Sequence, residues 1–219
     1  REDTILIDWN DLNDAYCQFR MFYKQTPLDK IIRSNKTTLC LKMHQHLGVF
    51  KTLRMKKSLK KKILWGHIQR SGKSYIIGGC IIKDSKEKNE CNYLIITTAP
   101  NETIEQQRKV LDCTQLIDFN IIVLNGKQKK PILTQKNIII CSKQFLQTKL
   151  DKSLTNAIEK TKSIPWLKKM SFDMRFIDES HHGGTTELAR KTLNIYGKSS
   201  FTIQITATYS KPIQDYQIP

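Results

Sequence analysis

Residues 65–79 read WGHIQRSGKSYIIGG, and the reading of this stretch decides the fold. An apolar approach, KILWGHI, runs into a polar turn holding Gly72 and then into an apolar stretch of helical character that begins at Lys73 and Ser74. Strand, turn and helix in that order place free backbone N–H groups and the positive end of a helix dipole at one point, where a phosphate is bound well. The usual pattern for such a loop is G-x-x-x-x-G-K-[ST], and its first glycine falls on His67, because Gly66 stands one residue too far from Gly72. The local order of elements supports a phosphate loop made of Arg70, Ser71, Gly72, Lys73 and Ser74, although the strict pattern fails. In such a loop Lys73 would reach the β- and γ-phosphates and the Ser74 hydroxyl would hold Mg²⁺. A plain turn in a lysine-rich chain is the competing reading.

Outward from this loop the same alternation repeats. NYLIITTAP, FNIIVLNG, KNIIICS, MRFIDES and FTIQITATY are short β-branched runs without polar alternation, the pattern of parallel strands buried on both faces. Helices are expected at 73–83, 102–116, 144–149 and 186–195. A helix is also expected over SNKTTLCLKMHQHLGVFKTL, capped near Ser34 or Asn35. Strands alternating with helices predict an α/β, doubly wound, mainly parallel sheet with flanking helices, preceded by a short helical N-terminal segment. In that segment Trp9, Tyr16, Phe19 and Phe22 read as helix core, not as base-stacking platforms.

The 219 residues carry 37 Lys+Arg against 20 Asp+Glu, a formal charge of +17, and a pI near 9.6. Such an excess suits a polyanion, nucleic acid first and an anionic membrane surface second. An AT-rich coding sequence also enriches Lys, Ile and Asn, so the charge alone establishes neither. Six scattered cysteines with no C-x-x-C pair read as reduced thiols of an intracellular protein, not as a zinc site or a disulfide framework. No apolar run approaches the roughly 20 residues of a membrane span. The basic run KTLRMKKSLKKK, 51–62, reads as a solvated helix end, with auxiliary phosphate binding as the alternative.

A second constellation, MRFIDESHHGG, delivers Asp178 and Glu179 at the carboxyl end of a strand, where open α/β sheets bind ligands. Such a pair suits metal-assisted phosphoryl chemistry, with Asp178 on Mg²⁺ and Glu179 orienting and deprotonating the attacking water. Acidic residues after a strand also serve as helix caps, and His181-His182 reads either as a metal pair or as exposed imidazoles.

Taken together and in this order, the motifs resemble the first RecA-like domain of superfamily 2 helicases and translocases. The resemblance is to the group with DEAH-type, type III restriction and large DNA virus helicases. RSGKS resembles motif I, DESH the D-E-x-H form of motif II, and TAT at 206–208 the motif III triplet. LKMHQ resembles an upstream segment whose glutamine reads adenine, which would give that role to Gln45. LIITTAP and IIICSKQFL are similar to two nucleic-acid motifs. The resemblance implies ATP and Mg²⁺ as cofactors and catalytic roles for Lys73, Asp178, Glu179 and His181. His181 would couple the nucleotide to Thr206 and Thr208, and Thr98 and Ser142 would touch the nucleic-acid backbone. It further implies DNA or RNA as partner, DNA favoured, no membrane, and a second RecA-like domain of the same full-length protein bearing arginine fingers.

The expected domain division is an accessory segment over 1–38 and RecA-like domain 1 over 39–219. Without the second domain, little hydrolysis is expected from these residues. A non-catalytic nucleic-acid-binding module with this fold and a duplex translocase of restriction-enzyme type are the alternatives. A nucleotide kinase would need an arginine-bearing lid, and no such segment follows the loop.

Overall fold

All six apolar runs become strands, because side chains that are apolar at consecutive positions can be buried only where both faces of a sheet are covered. The computed structural model describes residues 37–67, 71–97, 102–124, 131–147, 164–178 and 194–206, with Asn10, Asp14, Gln18 and Met21 each in helical conformation. The expected caps Ser34 and Asn35 and the aromatics Trp9, Tyr16, Phe19 and Phe22 lie outside the described residues. The six strands are β1 (Lys62–Gly66), β2 (Cys91–Thr97), β3 (Asn120–Leu124), β4 (Lys136–Ser142), β6 (Met174–Ile177) and β8 (Thr202–Thr206). They form one sheet in the order β1-β8-β6-β2-β4-β3, parallel at every pairing. Two short strands the sequence did not predict, β5 (Ser171–Phe172) and β7 (Lys198–Ser199), pair beside it.

One face is covered by α1 (Met43–Lys57), α2 (Lys73–Ser85) and α3 (Glu102–Leu111). There Val49, Ile76, Ile77 and Leu111 pack on Tyr93, Ile95, Ile140 and Phe176. The other face buries Leu94, Ile96, Ile139 and Ile177 against Leu146, Leu167 and Tyr196, the second of these from α4 (Pro165–Lys169). Connections leaving β1 and β2 thus cross one face, and those leaving β4 and β6 cross the other. This division opens a crevice at the carboxyl ends of the strands.

Register is pinned at the amino ends by an asparagine ladder. Asn92, Asn137 and Asn120 sit opposite one another on β2, β4 and β3. Asn137, 2 % exposed, donates from Nδ2 to Asn92 Oδ1 at 2.8 Å and to the Thr134 carbonyl at 2.6 Å. Its Oδ1 accepts the Thr134 N–H at 2.9 Å. A slip of one residue would break these bonds and turn every apolar side chain of the strand to the wrong face. Beside the ladder, Asp84 of α2 accepts from Lys56 Nζ at 2.7 Å, Lys88 Nζ at 2.7 Å and the Tyr93 hydroxyl at 2.9 Å. Lys88 also reaches Asp173 at 2.6 Å, which ties α2 to the start of β6.

Helix α1 begins at Met43, not near Ser34 or Asn35 as expected. Residues 38–42 are extended because Leu39 and Leu41 must lie across α2. They do so where Gly78 and Gly79 leave room: a Cβ on Gly78 would meet Leu39 Cδ2 at 2.9 Å, and one on Gly79 would meet Leu41 Cδ1 at 2.6 Å. The Gln115 side chain holds the crossing, accepting the Leu39 N–H at 2.9 Å and donating to its carbonyl at 3.1 Å. Helix α3 stops at Leu111 and not at Leu116. Cys113 turns extended, with φ −124 and ψ 163, to bridge Thr37. After β4, residues 143–147 are helical, one residue earlier than the expected start at 144, and 148 and 149 lie outside the described residues. Of the helix expected at 186–195, only 194–195 are described, and both are helical.

Two outcomes follow from these buried polar groups. Replacing Asn137 by Leu leaves the Thr134 N–H without its acceptor, and is expected to cost about 1–3 kcal/mol in urea unfolding of the protein. Burial first, then the nearby Lys83 charge, lowers the pKa of His46 from its ordinary 6.5. Burial, then Lys73 and His44, does the same for His67. The unfolded chain therefore binds protons that the folded one refuses, and stability should fall as pH drops below about 6.5. Burial raises the Asp84 pKa, but the Lys56 and Lys88 hydrogen bonds outweigh it and leave it below 3.8. Its contribution is present above that pH and lost as pH falls through the lower folded value. Thermal unfolding across pH 7 to 3 should show both losses, and Asp84→Asn should remove only the more acidic one.

Candidate phosphate site at the carboxyl ends of the strands

The turn after β1 works because Gly72 takes a left-handed backbone, φ 78 and ψ 38, as the residue capping α2. Only glycine holds that conformation at little cost. A Cβ there would also collide with Gln45 Nε2. From this turn Lys73 starts α2, and the Gly72 carbonyl accepts the Tyr75 N–H at 3.0 Å and the Ile76 N–H at 3.3 Å. The first N–H groups of the helix have no intrahelical acceptor and face the crevice end. Among the described residues the buried Ser71 Oγ has no hydrogen-bond partner.

Lys73 and Asp178, about a hundred residues apart in sequence, meet with Nζ 3.5 Å from Oδ1. Strands β1 and β6 are separated by β8, a gap of two strand spacings or about 10 Å. The lysine side chain therefore reaches back over the end of β8. Both partners are largely buried, with side-chain exposures of 15 % and 8 %. Asp178 is fixed by its own N–H, which donates to the Ile96 carbonyl at 2.8 Å, and the end of β8 is fixed to the loop by the His67 N–H on the Thr206 carbonyl at 2.9 Å. Thr206 is fully buried.

Gln45 lies against the loop and is buried. Its Oε1 accepts the Lys42 N–H at 2.8 Å, closing the first turn of α1, and its Nε2 donates to the Ser71 carbonyl at 3.4 Å. Ser142 is buried at the end of β4, and its Oγ accepts the Phe145 N–H at 3.1 Å. It thus caps the turn that follows. Arg70, Thr98, Glu179, His181 and Thr208 lie outside the described residues.

Three residues beside these were not singled out in the sequence. His44 Nε2 comes within 3.2 Å of the Ser71 carbonyl. His67, noticed only as a departure from the glycine pattern, sets its ring edge-on to Trp65 at 5.6 Å. Lys143, next to Ser142, is buried, and burial pushes its pKa down to about 8. A lysine inside an otherwise ordinary IIICSKQFL carries no sequence mark of burial.

The donors fit a hard cation bound together with its ligand. Ser74 and Asp178 offer hydroxyl and carboxylate oxygens, which suit Mg²⁺. Among the described residues no group of three or more His, Cys, Asp or Glu could hold a metal by itself, so phosphate oxygens and water would complete the shell. No described helix is long and apolar enough to cross a membrane.

Comparison with known proteins places the fold. The SWI2/SNF2 ATPase core domain of Sulfolobus solfataricus has a similar structure, with TM-score 0.59 and 18 % identity over 82 % of this chain and 33 % of that one. The UvsW helicase from bacteriophage T4 superposes with TM-score 0.56 and 16 % identity, over 90 % of this chain and 61 % of that one. The type ISP restriction-modification enzyme LlaGI, solved with a DNA substrate mimic, gives TM-score 0.53 and 13 % identity over 77 % of this chain and 17 % of that one. At these identities the likeness establishes the fold, and the chain spans only about a third of the SWI2/SNF2 core. No curated protein sequence matches. A family profile described as type III restriction enzyme, res subunit, matches residues 30–211. The chain belongs to that family, and its parallel sheet with flanking helices has the RecA-like fold of these structures.

Proposed function

We propose that this chain is the ATP-binding and ATP-hydrolysing half of a nucleic-acid motor, working with a second RecA-like domain of the same full-length protein. The observation that supports it most is the Lys73–Asp178 pair at 3.5 Å behind the left-handed Gly72 turn. The two motifs thus converge on one point at the head of α2. Before substrate arrives, each of these charges compensates the other; a triphosphate entering the loop would take over the lysine.

In this reading Arg70, Ser71, Gly72 and Ser74 line the phosphates with Lys73, and the buried Ser71 Oγ, which has no partner among the described residues, gains an acceptor. Gln45 stands on the adenine side of the loop, held by its bonds to Lys42 and Ser71. Mg²⁺ held by Ser74 and Asp178 supplies charge neutralisation when bound. Glu179 takes a proton from water as the water oxygen bonds to the γ-phosphorus and the bond to the bridging oxygen breaks, leaving ADP and phosphate. Lys73 and the N–H groups of α2 stabilise the charge that develops. His181 passes the loss of the γ-phosphate to Thr206 and Thr208, and the His67–Thr206 backbone bond gives that signal a rigid path to β8. Thr98 and Ser142 face the nucleic-acid backbone, and DNA is the favoured partner.

In the full-length protein, Glu179→Gln should lower nucleic-acid-stimulated phosphate release by about 10²–10⁴-fold while nucleotide still binds. Lys73→Ala should abolish both. If phosphate release is unchanged in either variant, the protein is a non-catalytic nucleic-acid-binding module. These 219 residues alone should hydrolyse ATP hardly at all, because arginine fingers from the second domain are worth about 10³–10⁵ in rate. A strong stimulated ATPase from this chain would contradict the shared-site reading.

A further inference from the structure

At the far ends of α1 and α2 from the phosphate loop lies a groove of about 530 Å³ between the two helices. Its floor is apolar: Leu53 is half-buried, and Phe50 leaves 47 % of its surface exposed. Its walls carry Arg54, Lys57, Lys83 and Lys86. None of these four cations has a carboxylate within ion-pair distance among the described residues. The carboxylate in the wall, Asp84, is already taken by Lys56 and Lys88, which leaves Glu87 as the one uncompensated anion of the lining. Lys83 is the informative member. Burial pushes its pKa down, against a smaller upward effect of Cys80 and with a still smaller downward effect of Lys86. The amine is partly stripped of water without an anion to repay it.

We infer that this groove binds single-stranded nucleic acid, with phosphates on the four cations and an unstacked base on the Phe50 ring. Charge complementarity selects a polyanion, and an exposed aromatic floor between cations selects one that can present a base face. A duplex keeps its bases stacked and cannot use the ring. The groove is distinct from the phosphate site: Lys57 lies 12 positions beyond Gln45 on α1 and Lys83 lies 10 beyond Lys73 on α2, about 15–18 Å at 1.5 Å per residue. It also lies on the helix layer, away from the carboxyl-end crevice where Ser142 stands. The basic run 51–62 is therefore only half a solvated helix end, since Arg54 and Lys57 turn toward α2. The inference shares with the proposed function only the class of partner.

The test is fluorescence anisotropy of a labelled oligothymidylate and of a matched duplex, without nucleotide, on the protein and its variants. Lys83→Glu with Lys86→Glu should weaken oligothymidylate binding at least about 10-fold and reduce the slope of log K against log salt by about 1–2. Phe50→Ala should weaken single-strand binding several-fold and leave duplex binding unchanged. Lys73→Ala, which tests the ATPase reading, should leave this binding unchanged, so either idea can fail alone. All three groove positions are partly or fully solvent-facing, and circular dichroism would confirm that the variants fold. Unchanged oligothymidylate affinity in both groove variants would overturn the inference. So would an equal Phe50→Ala loss for duplex, or binding of anionic phospholipid vesicles that competes with and exceeds oligothymidylate binding.

Discussion

The site depends on a side chain that is missing. Gly72 holds φ 78, and any other residue would carry a Cβ into the Gln45 amide. That one turn lets α2 begin at Lys73, with six residues between it and the end of β1 at Gly66. Without it the lysine would start its helix elsewhere and could not span the gap past β8 to Asp178. Gln45 completes the constraint from the other side, because one amide both caps α1 and touches the loop carbonyl. The start of α1, the start of α2 and the ends of β8 and β6 are thereby fixed to one another within a few hydrogen bonds.

The two ends of the sheet are built for different purposes. At the amino ends the polar groups satisfy one another: the asparagine ladder fixes register, and the Asp84 and Lys88 bonds tie α1, α2, β2 and β6 together. At the carboxyl ends polar groups are less fully used. The Ser71 Oγ is buried with no partner among the described residues, and the Lys73–Asp178 separation of 3.5 Å is longer than the 2.7 Å of the Lys56–Asp84 pair. Each unused group costs about 1–3 kcal/mol when buried. A well-bonded amino end offsets that cost and keeps the scaffold rigid while the opposite end stays open to a ligand.

The sheet was legible in the sequence because burial on both faces forces unbroken β-branched runs, which nothing else in a chain of this polarity resembles. The starting residue of α2 was legible for a related reason: Gly72-Lys73-Ser74 is both a turn signal and a helix start. The start of α1 was not. Ser34 and Asn35 read as caps, yet tertiary packing draws 38–42 into a non-helical crossing over Gly78 and Gly79, a demand made by a helix thirty-odd residues away. The ladder was missed because each asparagine, taken singly at a strand end, reads as turn chemistry; only the strand order makes the three neighbours. Ser142 shows the same limit, since its hydroxyl serves the next turn and local sequence does not distinguish a cap from a ligand.

The +17 charge can now be weighed by where it sits. A coding bias toward lysine would scatter cations over solvated faces, with no relation to the fold. Several cations here are instead placed inside it: Lys56 and Lys88 close the Asp84 network, and Lys73 meets Asp178. Arg175 lies under the sheet, donating to Thr202 Oγ1 at 3.2 Å, with burial lowering its pKa to about 10. Burying an amine or guanidinium costs free energy unless something compensates it, so a random enrichment would not collect them there. Lys56, Lys88 and Arg175 are compensated within the chain and serve the fold, whereas Lys83 has no carboxylate within ion-pair distance among the described residues, as suits an anion from outside. Composition bias therefore accounts for lysines on the open surface, and not for those whose positions the fold and its ligands determine.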